Sequence, residues 1–189
     1  MNILENPFFI LDVSVTANRR QISYAAEEKI FLNDSPAVHE AQSSLIIPEK
    51  RLCAEIRWFP DVYSSRAKEL AEYFRRLYSG QAAGKINVSE IRGISLLNFA
   101  VYMFTFRRFK DIGEMTKSIL AVCRCFDTLD TGEVCTVINR GRIAARFPLV
   151  ERAELEREMN NYRSDIVKVL DDKRSEERRV GKECRSRWS

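Results

Sequence analysis

Apolar residues recur three and four positions apart along most of the chain, the spacing of one buried helical face. Thr16 suits the cap of a first clear helix over about Ala17 to Lys29, because its hydroxyl can accept a bond from a free N–H of the first turn. Asn33 to Pro36 read as a turn, with Pro36 opening a short helix to about Leu45 and Pro48 opening the next. Leu52, Ile56 and Phe59 form that helix's apolar face, and Pro60 closes the unit. A helix from Asp61 to Tyr78 follows, with Leu70, Tyr73, Phe74 and Leu77 on one stripe and Gly80 as its stop. Beyond a loop at Gly80 to Lys85, Ser89-Glu90 open a segment to Phe106 that is apolar on nearly all sides, which predicts a central, buried helix. Further helices are expected at Ile112 to Leu129, Thr131 to Arg146 and Arg152 to Leu170. In the last, Leu155, Met159, Tyr162, Ile166 and Val169 form a seam that calls for a partner helix. Successive helices joined by short turns predict an all-α protein, with a short helical module over residues 1–60 and an antiparallel helical bundle over 61–173.

Composition agrees, but the charge needs correcting for the C-terminus. From Arg174 the chain reads Arg-Ser-Glu-Glu-Arg-Arg-Val-Gly-Lys-Glu-Cys-Arg-Ser-Arg-Trp-Ser, which resembles a translated short-read sequencing adapter at every position. Residues 174–189 are therefore expected to be an artefact, disordered or non-native, and the natural sequence is expected to continue past Lys173. Setting aside the segment's six basic and three acidic residues brings the formal net charge of +4 down to +1. A near-neutral chain offers no general electrostatic attraction to nucleic acid or anionic membrane.

The N-terminal pattern carries a family resemblance. Phe8-Phe9-Ile10-Leu11-Asp12-Val13-Ser14, Ala17, Ile22 and Ala25 resemble the opening of a J domain, the helical module of DnaJ-type co-chaperones, with Asp12 where that pattern has glycine. Ala41, Leu45, Pro48, Glu49, Lys50 and Arg51 match the spacing with which its last helix begins. The resemblance implies a helical fold and contact with an Hsp70-type chaperone. It also implies partner-binding roles for Lys29, Asp34, Ser35, Pro36, Lys50 and Arg51. The family's His-Pro-Asp tripeptide is absent, with Asp34, Ser35 and Pro36 in its place. The second helix, basic in members that act on Hsp70, offers Ser23, Glu27 and Glu28 against Lys29. The expectation is a chaperone-related or scaffolding adaptor without Hsp70 ATPase stimulation. The alternative is a weak co-chaperone that holds clients through its C-terminal helices.

Candidate chemistry is sparse. His39 is the only histidine, which excludes a histidine cluster, and no glycine-rich phosphate loop or nucleophile elbow occurs. Asp127, Asp130 and Glu133 lack the spacing of a calcium loop. Cys53, Cys123, Cys125 and Cys135 include no Cys-x-x-Cys pair, which fits a reducing, cytoplasmic setting, and Cys123 and Cys125 are expected to be core or boundary residues. The most apolar run, Ile94 to Phe106, is too short for the roughly 20 residues that span a bilayer. Two basic spots with neighbouring aromatics, Arg107, Arg108 and Lys110 beside Phe106, and Arg140, Arg142 and Arg146 beside Phe147, give the only pointer to single-stranded nucleic acid. Helix-end cations explain the first spot as well. No enzyme, cofactor, metal or membrane partner is expected.

Overall fold

A computed structural model describes the backbone of residues 2–186 and the side chains of residues 2–175. Among these residues it is all helical, with a short 3₁₀ turn at Ile3–Glu5 followed by nine α-helices. They are α1 (Pro7–Leu11), α2 (Arg19–Leu32), α3 (Pro36–Ile46), α4 (Pro48–Ile56), α5 (Ser64–Tyr78), α6 (Gly93–Phe106), α7 (Ile112–Asp127), α8 (Thr131–Ala145) and α9 (Arg152–Ser186).

Local chemistry accounts for most ends. The cap of α2 is Asn18 rather than Thr16: its side chain accepts from the Gln21 N–H, and the Gln21 side chain accepts from the Asn18 N–H. Thr16 lies within 2.8 Å of Ser14 in the preceding turn. Proline at the first position starts α1, α3 and α4, where its missing N–H would have no helical partner. Gly80, just past α5, has φ +71°, a conformation that costs glycine little. The helix α9 runs on past Leu170 to Ser186, through residues expected to be disordered. Glu, Arg and Lys favour helix by intrinsic propensity. Side chains after Ser175 lie outside the described residues.

Two apolar clusters fill the interior. The first joins Phe8, Leu11, Ile22, Leu45, Trp58 and Phe59 to Leu70, Phe74 and Tyr102 of α5 and α6. The second joins Leu52 and Ile56 of α4 to Leu97, Val101 and Phe104 of α6, to Val122 of α7 and to Leu155 and Tyr162 of α9. The helix α4 serves both, because Ala54 faces the first cluster while Leu52 and Ile56 face the second. Both clusters draw on residues from each side of Pro60. As the pattern predicts, α6 packs against α5, α7, α8 and α9. Asn98, a buried polar side chain of α6, donates to the Ile56 carbonyl at 2.8 Å, one of those that a helix C-terminus leaves without partners, and to the Trp58 carbonyl just beyond. Cys53, Cys125 and Cys135 are half-buried boundary residues, whereas Cys123 is exposed on α7.

Candidate interaction surface

The residues singled out by the sequence fall into four different environments. Asp34, Ser35 and Pro36 sit in and just after the turn between α2 and α3. Ser35 caps α3, its Oγ accepting from the Ala37 N–H at 3.3 Å, and Pro36 takes the first helical position. The Asp34 carboxylate is exposed, with Oδ1 at 2.7 Å from His39 Nε2. His39 therefore meets an acid from the preceding turn rather than its neighbour Glu40.

Lys29 lies on the other side of α2, where it helps to line a cavity of about 440 Å³ with Phe9, Val13, Trp58, Val62 and Lys68. Lys50 is exposed and reaches Glu40 at 3.4 Å. Arg51 is 0 % exposed, which removes it from any surface contact. Its Nε donates to Glu55 Oε1 at 2.7 Å and its Nη2 to the Val15 carbonyl at 2.6 Å. Its guanidinium also lies over the Phe147 ring, 4.1 Å from the centroid.

Glu55 has a second cation. Arg142 donates through Nε to Glu55 Oε2 at 2.8 Å and through Nη2 to the Pro48 carbonyl at 2.7 Å. One buried carboxylate thus joins α4 to α8 and, through Arg51, to the loop before α2. Burial pushes the Glu55 carboxyl up from its ordinary value, and Arg142 and Arg51 act against that rise. This network takes Arg142 out of the second basic spot read from the sequence, and Phe147 is buried as well, while Arg140 and Arg146 remain exposed. In the first spot, Arg107 pairs with Glu114 at the start of α7.

A further clamp holds α9. Arg57 donates to Glu158 at 2.7 Å and to Asp165 at 2.9 Å, and lies over the Tyr162 ring. Burial alone would raise the Asp165 carboxyl, but the hydrogen bond and charge of Arg57 carry it below its ordinary value. Tyr162 in turn lies 2.5 Å from Asn98 Oδ1, and burial pushes its phenol well up. These groups hold α4, α6 and α9 together.

The surface feature that stands out involves none of the charged or turn residues named from the sequence. Tyr24, Phe31 and Leu32 of α2 are 69 %, 91 % and 76 % exposed. The inner stripe of α2 is Ile22 and Ala26, with Ile30 half-buried, and Tyr24 and Phe31 fall on the opposite side of the helical wheel. That displacement from the apolar period was the available signal. Glu27 and Glu28, both exposed, occupy the turns between the two rings. No group of three or more metal-ligating side chains occurs among the described residues, and no helix there is long and apolar enough to cross a membrane. No protein-family model, no curated protein and no solved structure matches the chain.

Proposed function

We propose that this chain is a non-enzymatic, J-domain-like protein that works through protein contacts, a chaperone-related or scaffolding adaptor that leaves the Hsp70 ATPase rate unchanged. The observation that carries this reading is the α2–α3 hairpin. The helices α1 to α4 follow one another with α3 packed on α1, α2 and α4, an arrangement that supports a J-like helical module. At the hairpin's tip, where an active family member would present His-Pro-Asp, Asp34 is turned toward His39 while Ser35 and Pro36 start α3. The exposed side of α2 carries Glu27, Glu28 and uncovered aromatic rings instead of a basic face. A surface of this kind supports contact with a protein and argues against the electrostatics of Hsp70 activation. A resemblance of fold does not transfer activity, which belongs to the residues of the site.

The test is steady-state ATP hydrolysis by a bacterial Hsp70, alone, with this protein, and with the variant Asp34→His/Ser35→Pro/Pro36→Asp. The expected outcome is no stimulation by the unaltered protein. Gain of stimulation in the variant would demonstrate a J-like scaffold. Stimulation by the unaltered protein would overturn the adaptor reading and make the chain a co-chaperone.

A further inference from the structure

The outer side of α2 combines two properties that rarely remain together without a partner. Phe31 and Leu32 expose most of their surface at the end of the helix, and Tyr24 lies two turns before Phe31 on the same side. Single exposed apolar residues are ordinary, but three large ones on one helix, two of them adjacent at its end, leave apolar surface that water solvates poorly. The surrounding charge has one dominant sign. Glu27 and Glu28 lie between the rings, whereas Lys29 faces the cavity on the opposite side of the helix, Asp34 in the turn is 2.7 Å from His39 and Glu40 on α3 is met by Lys50 at 3.4 Å. Arg20, one turn before Tyr24, is the exposed cation at the far end of the stripe.

We propose that the outer side of α2 docks a basic amphipathic helix of a partner protein, whose apolar stripe covers Tyr24, Phe31 and Leu32 and whose flanking Lys and Arg side chains meet Glu27 and Glu28. This deepens the adaptor reading and rests on it, by assigning the contact face and the chemistry of its partner. A helix suits the site because Tyr24 and Phe31 are seven residues, or about 10 Å of helix axis, apart. That separation matches residues two turns apart on a second helix lying alongside. The basic flanks follow from the carboxylates, which stand on both sides of the line joining the two rings. Opposite charges at the rim speed encounter and fix register, while burial of the rings supplies most of the affinity. A second copy of this chain fits less well. An antiparallel copy that stacks Tyr24 on Phe31 would bring the Glu27 and Glu28 carboxylates of both chains together at the centre.

The test uses the full chain and two 18-residue helical peptides, one with a leucine stripe flanked by lysine and one with the same stripe flanked by glutamate, measured by fluorescence anisotropy at about 0.15 M salt. The lysine peptide is expected to bind and the glutamate peptide to bind at least about tenfold more weakly, with affinity falling as salt rises. Phe31→Ser is expected to weaken the lysine peptide about tenfold, and Glu27→Lys/Glu28→Lys to reverse the preference between the peptides. Both changes fall on exposed positions, and an unchanged thermal melt verifies that each variant is folded. Binding of the lysine peptide that neither change alters would overturn the proposal, as would absence of binding. Concentration-dependent dimerisation abolished by Phe31→Ser would also overturn it, by making the occupant a second copy. Hsp70 stimulation by the unaltered protein would sink the adaptor reading, whereas insensitivity to the α2 changes would sink this assignment alone.

Discussion

At the scale of single residues, Glu55 is the position on which most depends. Two guanidiniums meet its carboxylate at 2.7 and 2.8 Å, and neither has a route to water. Removing it leaves two buried cations without a counter-charge, a loss of about 3–5 kcal/mol. For a chain of this length each kcal/mol moves the melting temperature by about 2–4 °C, so Glu55→Ala should melt at least about 6 °C lower in a calorimetric scan. A change under about 2 °C would show that the network contributes little. Asp165 makes a different prediction, because its carboxyl titrates below its ordinary value of 3.8 when paired with Arg57. A depressed folded value means stability that is present at neutral pH and lost as pH falls through and below that ordinary value. Thermal melts between pH 6 and pH 3 should therefore fall less steeply for Asp165→Asn than for the unaltered protein. Equal slopes would remove Asp165 from the account of acid sensitivity. Half of the Glu55 network was legible in sequence, since Arg51 and Glu55 are one helical turn apart. Arg142 stands 87 residues from Glu55, and no local pattern announces that pairing.

At the scale of elements, the caps and stripes explain why each helix stands where it does, and Asp12 provides a sharp check. It ends α1 with φ +55°, in the left-handed region, and its carboxylate meets Lys68 at 2.7 Å. The J-like pattern places glycine there, and glycine is the residue that enters this conformation with the least cost. Asp tolerates it better than most side chains, whereas a β-branched residue does not. Asp12→Val is expected to destabilise by about 1–2 kcal/mol in urea unfolding, while Asp12→Gly stays within about 1 kcal/mol of the parent. Equal losses in both variants would shift the explanation from backbone strain to the contact with Lys68. The stripes divide in the same informative way. In α9 the seam of Leu155, Met159, Tyr162 and Ile166 is buried as its spacing predicts. In α2 the same rule accounts for Ile22 and Ala26 and leaves Tyr24 and Phe31 outside the period.

At the scale of the whole molecule, α4 is the shared element. Its residues enter both apolar clusters, and it carries the Glu55 link to α8 and precedes the Arg57 clamp on α9. Coupling of this density predicts one cooperative unfolding transition, with tryptophan fluorescence and far-ultraviolet circular dichroism giving the same midpoint. Two separated midpoints would instead mark units that unfold independently on either side of Pro60. The amino-acid sequence by itself determined the all-helical class, the order of the helices from α2 onward and most of their ends, but not the short α1. These follow from the period of apolar residues, from proline at helix starts and from glycine after α5, all of which act over a few neighbouring residues. Only the tertiary structure decided which charges lie inside and which apolar side chains lie outside. Arg51 and Lys50 are adjacent basic residues on one helix, yet the first is enclosed by Val15, Glu55 and Phe147 and the second reaches solvent. Burial depends on what the rest of the chain brings to each face, and the groups that enclose Arg51 come from before α2, from α4 and from beyond α8.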